Sequence, residues 1–479
     1  MELNDNFLEA LKKPFFNIIK NEANYLNSKV YLIGGFVRDH LLNRQYKKDI
    51  DVVVVGSGIE LAKAVQKKIK GAKPVKIFKT YGTAMIKYGE INLEFVGSRK
   101  ESYDLNSRNP KVMPGTLDED QKRRDFTINA LAVSLNNNNF GDILDPFNGI
   151  KDLKNKILRT PLDPNITYSD DPLRMLRAIR FATQLDFNIN ENSLEAIEQN
   201  ATRIKIISKE RIVDELSMIL STEKPSKGFI LLENTGLLNL ILPELTSLIG
   251  VDEINGNKHK DNFYHTLEVV DNLCLKSNNI WLRWAALFHD IGKGPTKKYL
   301  PKIGWTFHNH EFIGAKMIFE IFKRLKMPLN DKMKYVQKIV FMSSRPIVIS
   351  EDHITDSAIR RLVFDAGPHI EDLITLCEAD ITTKNPVRFK KYHENFKIVR
   401  EKIKYVEEKD HLRNFQPPVN GKKIMSFFGL KPSKEIGIIK HAIKEAILEG
   451  EIPNEYNAAY ERMKKEGKKL GLKPYEKPI

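Results

Sequence analysis

The chain has 479 residues, 41% of them hydrophobic and 29% charged, which suits about two to four globular domains. Lysine and arginine outnumber aspartate and glutamate by 77 to 62, and the formal net charge of +15 favours a polyanionic partner such as nucleic acid. Only Cys274 and Cys377 occur, which excludes a disulfide framework and a cysteine-based zinc site.

Residues 1–26 predict one amphipathic helix with acidic residues near its start. This segment lacks the basic start and the apolar core of a signal peptide, and no apolar run in the chain approaches membrane-spanning length. We therefore expect a cytoplasmic protein with no membrane partner.

Residues 27–150 alternate short β-branched runs with helical patterns, which predicts an α/β domain. In YLIGGFVRDHLL, a predicted strand turns at Gly34 and Gly35 into a helix that carries Arg38. Glycines let a backbone approach a ligand, and a helix N-terminus offers free N–H groups to phosphate. Alone, this pattern favours an ordinary strand-to-helix turn.

The stretch KKDIDVVVVGSG places Asp49 and Asp51 before four valines that predict a buried strand. Strand residues two apart share a face, so the two carboxylates lie side by side and need a positive partner. Such a pair can hold one or two Mg2+ ions for phosphoryl transfer. Glu94 in INLEFVG is a candidate third carboxylate, or else an exposed strand residue. The chain has no Walker-type motif, which disfavours a P-loop enzyme.

The polar stretch between Ser98 and Arg124 lacks periodicity, which predicts a functional or mobile loop. It leads into RRDFTINALA, where Arg124 and Asp125 could form an ordinary salt bridge before an apolar strand or helix.

From residue 151 helical periodicity replaces the strand pattern. In DDPLRMLRAIRF, Asp170 or Asp171 is predicted to cap a helix with Pro172 in its first turn. Every third residue of that helix is then an arginine: Arg174, Arg177 and Arg180. No acid follows them at i+4, which favours a ligand-binding stripe over the alternative of a solvated basic face.

Asp171 and Arg174 lie one helical turn apart and complement two of the four bases. Arginine only donates hydrogen bonds and carboxylate only accepts them. Cytosine and adenine each present an amino donor beside a ring-nitrogen acceptor, whereas guanine and uracil reverse the pattern and leave buried groups unpaired.

Residues 251–412 are predicted to be helical and hold 9 of the 11 histidines. His289 and Asp290 end an apolar helix, and their side chains diverge by about 100°, which suits neighbouring positions on an octahedral ion. Nitrogen and oxygen ligands suit Mn, Ni, Co, Fe or Zn. The Lys-rich residues 413–479 include an amphipathic helix with Ser433 near its start, for packing or for RNA-backbone contact.

In their order, GGFVRDHLL, DIDVVVV, QKRRDFTINALAV, DPFNGIKDL, DDPLRMLRAIRFATQLDF and KERIVDEL resemble the class II tRNA nucleotidyltransferases and bacterial poly(A) polymerases, of the polymerase-β-like superfamily. The match runs from about Tyr31 to Leu220. It implies an α+β chain: a polymerase-β-like α/β head followed by all-helical neck, HD and tail domains. The predicted boundaries are 1–26 for the N-terminal helix, 27–150 for the catalytic head, 151–250 for the neck that recognises base and RNA, 251–412 for the HD domain and 413–479 for a basic tail that is a candidate for tRNA binding.

The resemblance also implies roles for single residues. The catalytic set is Asp49, Asp51 and Glu94, with Mg2+ at the two aspartates. The nucleotide-binding set is Gly34, Gly35, Arg38, Arg124, Asp125, Asp171, Arg174, Arg177 and Arg180. In relatives the counterpart of Arg124 touches the nucleotide, that of Asp125 senses the ribose hydroxyl, and the Asp171/Arg174 pair is an amino-acid template. Relatives usually have Glu-Asp where this chain has Asp170-Asp171, which leaves the role of Asp170 less defined.

The histidine-rich segment resembles the HD phosphohydrolases, whose metal ligands match His265, His289, Asp290 and Asp380. His308 and His310 lie where some relatives hold a second metal or bind phosphate. An HD domain fused behind this head implies phosphatase or cyclic phosphodiesterase activity on damaged 3′ ends.

The predicted activity is template-independent addition of CCA to tRNA 3′ ends from CTP and ATP, in which the RNA 3′-hydroxyl attacks the α-phosphorus. The alternatives are a poly(A) polymerase, an enzyme restricted to the CC or the A step, an HD phosphohydrolase with a nucleotide-sensing front half, and a noncatalytic RNA-binding protein. The residues leave open the identity of the HD metal and the oligomeric state.

Overall fold

The computed structural model describes residues 5–44, 48–79, 82–102, 110–254, 257–351, 355–410 and 418–475. The chain divides into two compact units, 1–243 and 244–479. None of the helices in the described ranges is both long enough and apolar enough to cross a membrane.

A seven-stranded mixed sheet forms the centre of the first unit, in the order β3-β4-β5-β2-β1-β8-β9. Its central pair, β2 and β5, is parallel, and its other neighbours are antiparallel. The strands are β1 Lys29–Ile33, β2 Asp49–Val55, β3 Lys76–Phe78, β4 Thr83–Tyr88, β5 Ile91–Gly97, β8 Ala132–Ser134 and β9 Ile143–Leu144, with β6 Arg99–Ser102 and β7 Lys111–Pro114 in a separate hairpin. The central valines of β2 are fully buried, as a β-branched run between two neighbouring strands should be.

Six helices accompany this sheet: α1 Asp5–Leu11, α2 Pro14–Tyr25, α3 Gly35–Leu41, α4 Gly58–Lys68, α5 Leu117–Lys122 and α6 Gly149–Asn155. Serine and threonine side chains cap two of them. Ser57 accepts from the Glu60 N–H at the start of α4, and Thr116 forms a capping box with Glu119 at the start of α5.

The rest of the first unit is mainly helical: α7 Pro164–Asp170, α8 Leu173–Leu185, α9 Glu191–Asn200, α10 Lys209–Leu220, α11 Pro225–Asn234, α12 Leu237–Ile241 and α13 Pro243–Thr246, which crosses into the second unit. One parallel strand pair, β10 Ile157–Leu158 and β11 Asn188–Ile189, joins them. Helix α8 buries Leu176 and Ile179 fully and packs on α10 and α11, which fixes the orientation of its arginines.

The second unit is also mainly helical: α14 Asn262–Cys274, α15 Ile280–Phe288, α16 Lys293–Thr296, α17 His310–Arg324, α18 Asp331–Met342, α19 Arg345–Glu351, α20 Asp356–Ala366, α21 Ile370–Ala379, α22 Pro386–Asp410, α23 Gly421–Phe428, α24 Lys434–Leu448 and α25 Tyr456–Lys469. Two small hairpins interrupt the helices: β12 Glu253–Ile254 with β13 Asn257–Lys258, and β14 Lys298–Leu300 with β15 Gly304–Thr306. Side-chain caps at Asp261 and Asn279 begin α14 and α15.

The predicted α+β class is confirmed, and the differences in detail are local. Pro14 divides the predicted single N-terminal helix in two, because it occupies the first position of α2. The stretch 98–124 contains a hairpin and helix α5 instead of an uninterrupted loop, although its residues 103–109 lie outside the described ranges. The neck and HD segments are not purely helical. The domain boundaries stay predictions, and the one at 412 falls outside the described residues.

Candidate active site and metal centre

Three carboxylates meet at the start of the central parallel strand pair. Asp49 and Asp51 begin β2, and the register places Glu94 of β5 opposite Asp51. Asp51 is half-buried, whereas Asp49 and Glu94 are exposed. Burial and the Asp49 charge raise the pKa of Asp51, against the lowering effect of Arg124, and burial with the two aspartates raises that of Glu94. Oxygen donors that repel one another in this way fit a divalent cation.

The glycine turn lies directly against these carboxylates. Gly34 has φ +76°, a conformation that favours glycine, and a Cβ there would lie 3.0 Å from Asp51 Oδ2 and 3.5 Å from Arg124 Nη1. Gly35 then begins α3, whose first N–H groups are free of helical partners. The turn therefore leaves space for a ligand where the acidic and basic groups meet.

Arg38 of α3 lies beside the glycine turn, and neighbouring side chains fix its orientation. It is only 5% exposed, its Nε donates to Asp39 Oδ1 at 2.8 Å, and its Nη1 donates to Asn129 Oδ1 at 2.8 Å. Arg124 is held by the fully buried Asp120, with 3.1 Å between Nη2 and Oδ2. Burial raises the pKa of Asp120, but the Arg124 and Arg123 guanidinium groups outweigh it and hold that pKa below its ordinary value.

Asp125 joins the head residues to helix α8. Its Oδ2 accepts from Arg177 Nε at 2.9 Å, and its Oδ1 accepts from the Phe126 N–H at 2.9 Å and from Asn129 Nδ2 at 3.0 Å. Although burial raises the pKa of this carboxyl, Arg177 and Asn129 outweigh burial and hold it well below its ordinary range. Asp125 is therefore ionised whenever the first unit is folded near neutral pH.

The three arginines of α8 have different surroundings. Arg180 forms a buried ion pair with Glu215 of α10, at 2.6 Å from Nε to Oε2. Arg177 pairs with Asp125, and Arg174 Nη2 donates to the backbone oxygen of Arg123 at 2.7 Å. No acid stands at i+4 of these arginines, which had disfavoured structural ion pairs, yet Arg177 and Arg180 form such pairs with acids from elsewhere in the chain.

Many of these residues line a cavity of about 370 Å3, whereas Glu94, Asp120 and Glu215 lie outside its lining. Its lining includes predicted residues from both the head and the neck: Gly34, Gly35, Arg38, Asp49, Asp51, Arg124, Asp125, Arg177 and Arg180. Asp170, Asp171 and Arg174 lie outside that lining, at the junction of α7 and α8. The Asp171 carboxylate accepts from the Leu173 N–H at 3.2 Å, but the N-cap of α8 is Pro172 and not, as predicted, Asp170 or Asp171. Burial raises the pKa of Asp170, with Arg174 and Arg203 opposing that shift.

In the second unit, the predicted HD residues converge on one cluster. His265 Nε2 lies 2.9 Å from Asp380 Oδ1 and 3.8 Å from Asp290 Oδ2. His289 Nε2 lies 3.4 Å from Asp290 Oδ2 and 3.8 Å from Asp380 Oδ1. His310 Nε2 lies 3.5 Å from Asp290 Oδ1, whereas His308 is exposed on the turn before α17.

All three clustered histidines direct Nε2 inward because an oxygen atom holds Nδ1. The partners are Thr382 Oγ1 for His265 at 3.1 Å, the Ala286 carbonyl for His289 at 2.8 Å and the Phe307 carbonyl for His310 at 3.0 Å. The two carbonyls can only accept, so His289 and His310 carry a proton on Nδ1. Outer contacts of this kind orient histidine ligands of metals.

The donor set fits a metal ion. His265, His289 and Asp290 offer three ligand atoms within 4.8 Å of one another, and the buried His289 Nε2 has no hydrogen-bond partner. Burial lowers the pKa of His289, but the charges of Asp290 and Asp380 outweigh it and raise that pKa to about 9. A divalent cation would supply the missing partner for Nε2 and neutralise the two carboxylates.

Comparison with known proteins finds similarity in both units. Family models match the poly(A) polymerase head domain over residues 30–159, a probable RNA- and SrmB-binding site of polymerase A over 186–249 and the HD domain over 262–385. An A-adding tRNA nucleotidyltransferase of Deinococcus radiodurans is 31% identical over 365 residues, which are 74% of this chain and 81% of that protein. The chain belongs to the tRNA nucleotidyltransferase and poly(A) polymerase family.

Other members of this family extend the comparison. An A-adding tRNA nucleotidyltransferase of Aquifex aeolicus is 39% identical over 198 residues, 41% of this chain and 23% of that protein. A Thermotoga maritima CCA-adding enzyme solved with tRNA has a TM-score of 0.61 at 20% identity, with 97% and 96% of the two chains covered. A CCA-adding enzyme in an apo form has a TM-score of 0.65 at 21% identity, with 98% and 99% covered. These structures share the fold.

Four further side chains line the cavity or hold its charged residues, and none of them was predicted as a site residue. Asn129 contacts Arg38 and Asp125, Asp120 anchors Arg124, Glu215 pairs with Arg180, and the Phe181 ring lies beneath three guanidinium groups. Asn129 and Asp120 stand close to the RRDF motif, so proximity to a charged motif was the available signal. Glu215 and Phe181 stand within the quoted motifs KERIVDEL and DDPLRMLRAIRF, but their spacing gave neither residue a role.

Proposed function

We propose that this chain adds nucleotides to the 3′ end of tRNA and that its principal reaction is the transfer of AMP from ATP. The observation that carries the reaction is one cavity in which the Asp49 and Asp51 carboxylates face the immobilised guanidinium groups of Arg38 and Arg124. The preference for adenosine is supported by the two curated relatives, both of which are named A-adding.

The proposed reaction is attack of the RNA 3′-hydroxyl on the α-phosphorus with departure of pyrophosphate. Asp49 and Asp51 would hold Mg2+, with Glu94 as the third carboxylate. The ion would activate the hydroxyl and neutralise the triphosphate. The turn at Gly34 and Gly35 brings backbone N–H groups to the phosphates, and Arg38 and Arg124 bind their oxygens with guanidinium orientations fixed in advance.

Selection of the sugar and the base is assigned to the junction of head and neck. Asp125 and Arg177 line the cavity beside the proposed phosphate-binding residues, and they would contact the sugar. Asp171 and Arg174 would read the base, since Asp171 keeps a second carboxylate oxygen as an acceptor and a guanidinium has five N–H groups, of which Arg123 takes one. Arg180, paired with Glu215, would act on the nucleotide only by supporting its neighbours, and Asp170 would do the same for Arg174.

Complete addition of CCA from CTP and ATP is the second candidate. It is favoured by the Asp171/Arg174 pair, which complements cytosine as well as adenine. CC-only addition and poly(A) synthesis use the same cavity and remain distinguishable by product.

For the second unit we propose a divalent-metal phosphohydrolase that acts on phosphorylated or cyclic 3′ ends. His265, His289, Asp290 and Asp380 would hold the ion, which is Mn, Ni, Co, Fe or Zn, and the ion would polarise the phosphate and supply a water-derived nucleophile. His310 would complete the cluster at the second oxygen of Asp290, and His308 would reach phosphate from the turn before α17. The orphaned Nε2 of His289 supports this assignment.

Nucleotide addition is tested with tRNA transcripts that end before the CCA, after one C or after CC, each with labelled CTP, ATP, GTP and UTP. The A-adding proposal expects one adenosine on the CC transcript and nothing on the others. Addition of C, C and A to the shortest transcript would establish the second candidate instead. Long adenosine tails would indicate a poly(A) polymerase, and no addition beyond that of Asp49→Ala would refute the proposal.

Hydrolysis is tested with RNA that carries a 3′-phosphate or a 2′,3′-cyclic phosphate. We expect metal-dependent turnover that His289→Ala abolishes and Asp49→Ala retains. Equal turnover by wild type and His289→Ala would refute the HD assignment.

A further inference from the structure

Asn129 lies in the active-site cavity and within the motif RRDFTINALA, but the motif alone assigned it no role. It ends the short 3-10 turn Thr127–Asn129, is only 5% exposed, and lines the cavity. Its side chain bonds to two charged groups that lie far apart in the chain. Oδ1 accepts from Arg38 Nη1 at 2.8 Å, and Nδ2 donates to Asp125 Oδ1 at 3.0 Å.

Chemistry fixes the orientation of this amide. A guanidinium only donates and an ionised carboxylate only accepts, so the amide oxygen has to face Arg38 and the nitrogen has to face Asp125. Aspartate would lose the donor and repel Asp125, and leucine would lose both bonds. Among side chains of this size, an amide alone satisfies both charges at once.

The two bonds belong to a closed ring of contacts. From Arg38 the ring passes through Asn129 and Asp125 to Arg177, and the face of Phe181 closes it. The Phe181 ring centroid lies 4.9 Å from Arg38 Cζ and 5.4 Å from Arg177 Cζ, within cation–π range. All five residues line the cavity.

Asp125 has little freedom within this ring. Asn129 and the Phe126 N–H occupy Oδ1, while two nitrogens of Arg177 occupy Oδ2. These four donors match the roughly four acceptor sites of a carboxylate. The backbone N–H is fixed by the chain and the Arg177 bonds are charge-assisted at both ends, so the amide is the weakest of the four. Asn129 therefore contributes to the position of Asp125 and is the donor most easily displaced from it.

We propose that Asn129 is a positioning residue for nucleotide transfer, which sets the spacing between Arg38 on the triphosphate and Asp125 on the sugar. This role rests on the proposed nucleotidyltransferase function and extends it. A nucleotide contacts both groups simultaneously. An error in their spacing therefore weakens binding of the whole ligand and lowers the preference for ribose over deoxyribose.

The test compares ATP and dATP on the CC-ended transcript. For Asn129→Leu we expect KM for ATP to rise about 10- to 100-fold, since two hydrogen bonds to charged groups are lost, with a smaller change in kcat. The preference for ATP over dATP should fall as Asp125 moves. For Asn129→Asp, which keeps an acceptor for Arg38, KM should rise less while the preference for ATP still falls.

Asn136 provides the matched control. It is a half-buried asparagine of the same unit that accepts from the Val30 N–H at 2.9 Å and donates to Ser134 Oγ at 2.8 Å, and it lies outside the cavity lining. Asn136→Leu should lower the melting temperature but keep the KM for ATP and the ATP/dATP preference of the wild type.

A merely structural Asn129 would behave like Asn136. If folded Asn129→Leu and Asn129→Asp both keep the KM and the sugar preference of an active wild type, the positioning role is overturned and the proposed function survives. If the wild type adds no nucleotide to any transcript, the proposed function fails and the role of Asn129 fails with it.

Discussion

The carboxylates of the head and the HD cluster both suit a divalent cation, but the chain supplies a different share of each site. The HD cluster brings three donor atoms within 4.8 Å of one another, and no other such group of histidine, cysteine or acidic side chains occurs in the described ranges. In the head, Asp49 and Glu94 are exposed and Asp51 is half-buried. One site is built before any ligand arrives, and the other is left partly open.

This difference matches the chemistry that each site would perform. Mg2+ in phosphoryl transfer is usually held by one or two carboxylates together with substrate phosphates, so an open site is completed by the nucleotide. A hydrolytic metal has to be present before its substrate, and histidines with fixed Nδ1 partners provide for that. Nucleotide should therefore control metal binding in the first unit and have no effect on it in the second.

The strongest test of this comparison is a pair of single substitutions. Asp51→Ala should reduce nucleotide addition by about a thousandfold or more, because metal assistance contributes several kcal/mol to the transition state. Hydrolysis of a 3′-phosphorylated RNA should be unchanged. His289→Ala should show the reverse, measured on the same two substrates. If either variant loses both activities while its melting profile stays intact, the two centres are not independent.

Much of the first site could be predicted from short stretches of sequence. The Gly-Gly turn, the Asp-x-Asp strand and the helical DDPLRMLRAIRF segment were predictable because strand alternation, glycine punctuation and helical periodicity are properties of neighbouring residues. The α+β class followed from the same periods. The helix break at Pro14 could also have been predicted, since proline often occupies the first turn of a new helix.

The contacts that complete the cavity were not predictable in this way. Glu215 follows Arg180 by 35 residues and Asn129 follows Arg38 by 91, and only the fold brings them together. The absence of acids at i+4 therefore did not exclude ion pairs of Arg177 and Arg180 with distant acids. Hairpins as short as β12–β13 and β14–β15 contain too few residues for a period to emerge.

The two units also treat buried charge differently, and this contrast can be measured as stability. The first unit pairs Arg180 with Glu215, both with side chains only 6% exposed. Glu215→Ala should cost about 3–5 kcal/mol of unfolding free energy, because it leaves a buried guanidinium without its carboxylate. The control is Asp186→Ala, which breaks the pair with Lys227 at an 80% exposed carboxylate and should cost about 0–1 kcal/mol.

Calorimetry of the full chain measures both variants in the transition that ATP with Mg2+ shifts. Equal losses for Glu215→Ala and Asp186→Ala would mean that Arg180 reaches water when its partner is removed. The stripe on α8 would then be a solvated face after all.

The second unit holds a preformed set of metal donors, which predicts stabilisation by a metal ion without nucleotide. At a Mn2+ concentration of 100 times Kd, binding should add about 2.7 kcal/mol to the stability of this unit. His289→Ala should abolish the shift, and Asp49→Ala should retain it. The measurement is the melting temperature with Mn2+ against a chelator, without ATP. A shift that depends on Asp49 or on ATP would reverse the proposed contrast between the open and the prebuilt site.

The smallest expected effect concerns His40, a buried histidine of the first unit whose pKa is shifted in the opposite direction to that of His289. His40 is 5% exposed, contacts the rings of Phe7 and Phe36, and donates from Nδ1 to the Phe36 carbonyl at 2.8 Å. Burial lowers its pKa, assisted by Lys13 and opposed by the Phe36 carbonyl and Asp39. The carboxylates of Asp290 and Asp380 raise the pKa of His289, whereas burial lowers the pKa of His40.

A histidine with a lowered pKa in the folded state binds more protons when unfolded, so stability rises with pH through the unfolded value of about 6.5. The first unit should therefore lose stability as the pH falls below about 6.5, with a slope from this group of at most about 1.4 kcal/mol per pH unit. His40→Gln removes the titrating group and should flatten the profile of the ATP-shifted transition between neutral and mildly acidic pH. An unchanged slope in this variant would assign the acid sensitivity to other groups. The contrast between the two buried histidines, His40 and His289, would then not hold.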